Sequence, residues 1–224
     1  MEVIVGINCL DFECVRKHWD AAAALGVRSV QIDVADGKFV PVKTWDSPAE
    51  LAELTKRNPE ISVEIHLMVE KPELIFENWL KAGAKKLVVH YESGPKSLGF
   101  VQKAAKSFYG AETIIGIGPD TNIEEIVKSK NLDLNFSVQL VAVPLGFSSG
   151  EFARNTIEKI KHIKSLWPNV NIIIDGGMNP DTAEQVKDAG ADAVVAVSYV
   201  WNGDSPEENY RKLYLIFLFQ VLLK

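Results

Sequence analysis

The chain has 224 residues, 47% of them hydrophobic and 24% charged, and a net charge of −6. That length holds one large domain or two small ones around a substantial core, and the composition excludes disordered and fibrous architectures. An acidic chain without a basic block also argues against a nucleic-acid partner gripped through its phosphates.

Met1-Glu2-Val3-Ile4 has no basic segment leading into a long apolar stretch, so it reads as a first strand and not as a signal peptide. Cys9 and Cys14 are too few for a disulfide framework, and a metal knuckle needs more ligands at tighter spacing. A reduced, cytoplasmic protein is therefore the expectation. Cys9 ends the first strand and reads as a small buried hydrophobe, since no partner base is evident. Next, Phe12, Val15, Trp19, Ala22 and Ala23 share one face at helical spacing. His18 and His162 fall on helices and read as surface or packing residues.

Short Val- and Ile-rich runs follow, as expected for a parallel sheet buried on both faces. Strands are expected near Val3–Ile7, Arg28–Asp33, Ser62–His66, Lys86–His90, Thr113–Ile117, Val138–Val143, Asn171–Asp175 and Ala193–Val197. One junction recurs at Gly26, Gly83, Gly110 and Gly190, where a glycine ends a helix and a tight turn enters a strand. Ser47-Pro48-Ala49-Glu50 and Ser205-Pro206-Glu207-Glu208 are capping boxes, Thr121 with Glu124 repeats the pattern, and Asn179-Pro180 offers another cap.

The last segment is a helix over 206–223, apolar from Leu213 to Leu223 except at Gln220. It is too short to span a bilayer, which takes about 20 apolar residues. A helix apolar on every side exceeds what a sheet can cover, so a subunit contact in a homo-oligomer, or burial in the wall of the fold, is expected rather than a membrane anchor. Interfacial helices keep a charged face, which this one lacks.

Eight strands alternating with helices in this length match a single (β/α)8 TIM barrel over 1–224, with no linker or composition break. A doubly wound sheet is the alternative, but Ile7-Asn8-Cys9-Leu10 is not the Gly-rich turn it would want. Barrel chemistry sits at the C-terminal strand ends. The polar residues there are Asp33, Asp36, His66, His90, Glu92, Asp175 and Ser198. Gln31 lies two residues before Asp33 and so shares its face. Asp33, His66 and Asp175 converge from three strands, and two carboxylates with an imidazole suit a divalent metal or proton transfer. A plain loop-capping role for the aspartates stays open. His90 reads equally as an orienting partner or as a hydrogen-bonded core residue. Gly146-Phe147-Ser148-Ser149-Gly150, Asp175-Gly176-Gly177 and Val197-Ser198 follow three consecutive strands, and glycines let backbone N–H groups approach a phosphate closely.

With these residues assembled, Gln31-Ile32-Asp33-Val34-Ala35-Asp36-Gly37-Lys38-Phe39-Val40-Pro41 resembles the H-x-D-V-M-D-G-x-F-V-P signature of ribulose-phosphate 3-epimerases. His66-Leu67-Met68-Val69 is similar to that family's H-L-M-V, and Gly146-Phe147, Asp175-Gly176-Gly177 and the run from Ala189 to Ser198 follow its later motifs in order. The resemblance implies interconversion of ribulose 5-phosphate and xylulose 5-phosphate by metal-assisted proton transfer through an ene-diolate. It implies one divalent metal ion (zinc, iron, manganese, cobalt or magnesium) and a small phosphorylated sugar as partner. It assigns Asp33 and Asp175 as the acid–base pair and Asp33, His66 and Asp175 as metal ligands. Gln31 stands where the family has a second histidine. Phosphate and substrate contacts fall to Gly146, Ser148, Ser149, Gly150, Gly176, Gly177, Val197, Ser198 and Met68.

Other departures gather near the mouth. Ala35 replaces the family's methionine, its M-S-V-N-P-G-F-G-G run is Val141 to Ser149 here, and Val197 replaces the glycine of its terminal G-S. Its P-S-I-L-S-A-D-F segment is Val5-Gly6-Ile7-Asn8-Cys9-Leu10-Asp11-Phe12. These changes motivate an alternative: a non-catalytic sugar-phosphate-binding barrel with a degraded metal site.

Overall fold

Each Val- and Ile-rich run forms a strand that pairs in parallel with the next, and the last closes on the first. The computed structural model describes residues 2–129, 136–146 and 152–218. Its strands are β1 Glu2–Ile7, β2 Ser29–Ala35, β3 Ser62–Met68, β4 Lys86–His90, β5 Glu112–Ile117, β6 Ser137–Val141, β7 Asn171–Asp175 and β8 Ala193–Ala196. They form a closed barrel in chain order, as the sequence led us to expect, with ends moved by at most two residues. The crossover helices are α1 Phe12–Ala24, α2 Pro48–Arg57, α3 Phe76–Lys81, α4 Pro95–Ala104, α5 Ile123–Lys128, α6 Thr156–Leu166 and α7 Pro180–Ala189. A short α8, Ser198–Trp201, and a terminal α9, Pro206–Leu218, follow β8.

The strand period of two sorts the side chains. Val30, Ile32 and Val34 of β2 point outward into the main core with Val15 and Trp19 of α1, whereas Gln31 and Asp33 point inward. Inside the barrel, Ile4, Val88, Ile114, Ile173, Ala193 and Val195 form a separate apolar floor. The polar residues sit above it. All four junction glycines have positive φ, which only glycine adopts without steric cost.

Helix starts follow the expected caps with one correction. Ser47 accepts from Glu50 N, Ser205 from Glu208 N, and Asn179 closes a capping box with Thr182. Such caps contribute about 0.5–2 kcal/mol each. Thr121 caps nothing: Asn122 is the cap of α5, and the Thr121 hydroxyl donates to Glu92 instead. The Thr121 side chain is turned toward the carboxylate at the mouth, and the neighbouring Asn122 side chain accepts from Glu124 N at the helix start.

The cysteine reading is also corrected. Cys9 and Cys14 are joined by a disulfide, with Cα atoms 5.7 Å apart. Two cysteines are too few for a framework of several bridges but enough for one local bridge. Here the turn from β1 into α1, capped by Asp11 on Cys14 N, brings two near neighbours within bridging range. The cysteines therefore no longer argue for a reducing compartment. Cys9 also has a basic neighbour, since His18 Nδ1 lies 3.3 Å from its Sγ.

In α9, Leu213 and Phe217 lie one turn apart and are buried, with the helix against β1 and α7. Tyr214, Leu215 and Leu218 remain exposed at 43%, 37% and 38%. The rest of the expected 206–223 helix lies outside the described residues. Among those described, no helix is long and apolar enough to cross a membrane.

Candidate active site

Register places the polar layer. Asp33 pairs with His66 across β2 and β3, Gly116 with Gln139 across β5 and β6, and Val141 with Asp175 across β6 and β7. Because all these strands are parallel, their inward residues meet at one end of the barrel. Gln31, Asp33, His66, His90, Gln139 and Asp175 are each at most 6% exposed, so every charge here needs a partner.

His66 is the hub. Its Nδ1 lies 3.1 Å from Asp33 Oδ1 and 3.3 Å from Asp175 Oδ2. Burial works against its charge, but the hydrogen bonds and charges of Asp175 and Asp33 outweigh burial and raise its pKa to about 10. Its Nε2 lies 2.8 Å from His90 Nε2, and His90 Nδ1 lies 3.0 Å from Glu92 Oε2. Burial lowers the pKa of His90. Burial opposes the charge of Glu92, but hydrogen bonds from His90, Thr121 and Gly118 N hold it down to about 2. Glu92 is then a carboxylate that accepts from His90 Nδ1–H, so the bare Nε2 of neutral His90 accepts from His66 Nε2–H. His90 is therefore an orienting partner of His66. Gly116 makes room for it, since a Cβ there would lie 3.2 Å from the imidazole ring.

Gln31 occupies the centre. Its Nε2 donates to Asp33 Oδ1 at 3.0 Å and to Asp175 Oδ2 at 2.9 Å, and lies 3.3 Å from His66 Nδ1. Its Oε1 is buried without a hydrogen-bond partner among the described residues. Metal–ligand bonds of 2.0–2.2 Å place neighbouring donors about 2.9–3.5 Å apart. The separations among Asp33, His66, Asp175 and the Gln31 amide fit that spacing, and a half-turn of the amide presents Oε1 in place of Nε2 at unchanged volume. The residues present therefore fit a divalent cation, with three donors converging as expected and an amide oxygen as a fourth.

Two residues that sequence reasoning missed complete the layer. Asn8 Nδ2 donates to Asp33 Oδ2 at 2.9 Å, and Gln139 Nε2 donates to Asp175 Oδ2 at 2.9 Å. A polar residue inside the apolar run Val138-Gln139-Leu140 was the available signal. Glu64 was also missed. It pairs in register with Gln31, and burial raises its carboxyl pKa to about 7 against the pull of Lys86 and His66. Asp36 lies outside this layer: it accepts from Lys38 N, Phe39 N and Glu70 N and only braces its loop.

Above the layer is a pocket bounded by Asn8, Asp33, His66, Met68, Gly146, Asp175, Gly176, Gly177, Val197 and Ser198. Gly176 and Gly177 have φ of 95° and 69°, turning the chain tightly after β7. Among the expected phosphate residues, Gly146, Gly176, Gly177, Val197 and Ser198 thus share one pocket with Met68. Ser148, Ser149 and Gly150 lie outside the described residues. Val197 is tolerated because Gly6 has no side chain: a Cβ there would lie 2.4 Å from Val197 Cγ2.

The chain matches the model of the ribulose-phosphate 3-epimerase family over residues 2–201. A ribulose-phosphate 3-epimerase of Chlamydia pneumoniae is 31% identical over 214 residues, 91% of this chain and 90% of its own. That of Rhodobacter capsulatus is 31% identical over 207 residues, 92% and 88% of the two chains. Among solved structures, 3-hexulose-6-phosphate synthase from Salmonella typhimurium superposes with a TM-score of 0.73 at 13% identity, covering 98% of this chain and 99% of that one. The 3-keto-L-gulonate-6-phosphate decarboxylase from Vibrio cholerae gives 0.72 at 12%, covering 96% of each chain. Those two likenesses concern the fold alone.

Proposed function

The chain belongs to the ribulose-phosphate 3-epimerase family, and on that footing we propose that it interconverts ribulose 5-phosphate and xylulose 5-phosphate. The observation that carries this reading is the convergence of Asp33 and Asp175, from β2 and β7, on the single imidazole of His66. Inverting a carbon beside a ketone needs a proton removed from one face and returned on the other. Two carboxylates from separate strands supply that pair, one taking the proton and the other returning one in each turnover.

Asp175 takes its described hydrogen bonds at Oδ2, so Oδ1 is the oxygen left for the substrate proton. Asp33 is held at both oxygens, by Asn8 on one and by Gln31 and His66 on the other. It is thereby fixed in place for transfer on the opposite face. Gln31 and Gln139 keep Asp175 oriented, while Met68 gives the sugar an apolar wall. The sugar phosphate is read by backbone of Gly146, Gly176, Gly177, Val197 and Ser198, where glycine lets the anion approach. A divalent cation held by Asp33, His66, Asp175 and Gln31 supplies Lewis-acid polarisation of the ketone when bound. Imidazole favours zinc, cobalt or iron, and the amide oxygen shifts preference toward magnesium or manganese.

The donor spacing speaks against the degraded-site alternative, because the replacement at Gln31 still offers an oxygen at the centre. The same proposal includes self-association through Tyr214, Leu215 and Leu218, exposed together on α9. Sizing in dilute solution tests it, and a monomer refutes it. The function itself is tested by assaying both epimerisation directions on purified chain with each cation supplied in turn. Turnover that requires a cation and is lost in Asp175→Asn supports it. Phosphate binding without turnover under every cation refutes it.

A further inference from the structure

Cys9, Cys14 and His18 gather at the turn from β1 into α1, a cluster separate from Asp33, His66 and Asp175, and the proposed reaction uses none of them. Cys14 and His18 are one helical turn apart on α1 and so share a face. The loop before the helix brings Cys9 to that face. His18 Nδ1 lies 3.3 Å from Cys9 Sγ and 3.7 Å from Cys14 Sγ. The imidazole is held by stacking on Trp201, with ring centroids 4.6 Å apart. Trp201 is itself anchored by its Nε1–H on Gly6 O at 2.7 Å.

We propose that Cys9, Cys14 and His18 form a redox-gated site for a thiophilic divalent cation of the zinc class, closed by the disulfide and opened by its reduction. Zinc bonds of about 2.3 Å to sulfur and 2.0–2.1 Å to nitrogen place S and N about 3.5 Å apart in a tetrahedron. Both sulfur–imidazole distances already bracket that value. The one change required is separation of the two sulfurs, and breaking their bond permits it. Two thiolates and an imidazole are soft and borderline donors, unlike the carboxylates and amide of the mouth, so the two sites select different cations. Cys14 and His18 are half-buried, which leaves a reductant and a cation a way in. Burial, and then the neighbouring charge of Lys17, lowers the pKa of His18, which favours the neutral imidazole that a cation binds.

The chemistry balances with a dithiol as reductant. One of its thiolates attacks Cys14 Sγ, the more accessible sulfur, forming a mixed disulfide and releasing Cys9 as a thiol. Its second thiol then displaces Cys14 and leaves as a cyclic disulfide, so two electrons and two protons pass to the cysteines. The cation binds as both thiol protons go to water.

Cobalt(II) is the probe, because thiolate–cobalt charge transfer absorbs in the near ultraviolet and carboxylate or amide ligation does not. The full chain is reduced with dithiothreitol, freed of reductant without air, and titrated with cobalt beside an untreated sample. The expected result is a charge-transfer band in the reduced chain only, weakened in Cys14→Ser and shifted to higher cobalt in His18→Ala. No band in the reduced wild-type chain overturns the proposal, as does the same band in Cys14→Ser. The comparison of reduced with oxidised wild-type chain stands even if a variant fails to fold. It also stands apart from the epimerase reading, which depends on Asp33, His66 and Asp175.

Discussion

His66 and His90 face each other Nε2 to Nε2 at 2.8 Å, and only one proton fits between them. Glu92 settles whose it is: by taking the Nδ1 proton of His90, it leaves His90 to accept from His66. His66 Nδ1 is thereby pointed at the two aspartates. Partners of this kind fix a ligand's tautomer and ring orientation, and their loss costs about 10–100-fold in metal affinity or activity. His90→Leu is expected to lose that much cation affinity by calorimetry, with a parallel fall in kcat. Unchanged affinity would show that the aspartates alone orient His66.

Asp33→Asn and Asp175→Asn should each lower kcat by about 10²–10⁴-fold, the usual worth of a positioned acid or base. Isotope exchange separates two carboxylates acting on two faces from one acting alone. In deuterated water, each variant should still exchange the substrate proton on the face whose carboxylate remains, yet invert almost none of it. Mass spectrometry of recovered substrate reads this. Full loss of exchange in both variants would argue against one carboxylate per face.

The barrel was legible because its signals are local and repeated. Glycine-terminated helices, Val- and Ile-rich strands and Pro-capped helix starts each report the same βα unit, and they survive a shift of two residues at a strand end. Asp33, His66 and Asp175 were legible because strand-end position and residue type agree. Gln139 and Glu64 showed only as polar residues interrupting apolar runs, and what each side chain meets depends on the strand register. The bond between Cys9 and Cys14 was missed because counting cysteines says nothing about a turn that brings near neighbours together. Thr121 and Asn122 show the same limit: two adjacent residues can both cap a helix, and only the folded chain shows Asn122 doing so while Thr121 turns to Glu92.

Gln31 gives the most direct handle on the cation. Its amide lies 2.9–3.3 Å from three donors, so an imidazole in its place would enter the same sphere. Gln31→His is expected to strengthen zinc and cobalt binding relative to magnesium, because a borderline nitrogen replaces a hard oxygen. Equilibrium dialysis with metal analysis of the protein compartment measures the ratio. An unchanged ratio would place residue 31 outside the coordination sphere.

Gly6 and Val197 share one space, and Val197 lines the pocket. A Cβ on Gly6 would lie 2.4 Å from Val197 Cγ2, closer than carbon atoms approach, and 3.1 Å from Val195 Cγ1, a tight contact. The family motifs that these two segments resemble carry serine and glycine here, so relative to those motifs the bulk sits on the other side of the contact. Gly6→Ser should therefore destabilise the chain by about 1–3 kcal/mol, the usual cost of overpacking a filled space. In a Val197→Gly background the serine finds room, and most of that cost should vanish. Contacting residues that share a space typically show coupling of about 0.5–3 kcal/mol in a double-mutant cycle, here of compensating sign. Urea denaturation of the four chains measures it. If Gly6→Ser costs as much in the Val197→Gly background as beside the native Val197, the destabilisation comes from Val195 or the backbone, and the exchange of bulk is not what made room for Val197 at the pocket.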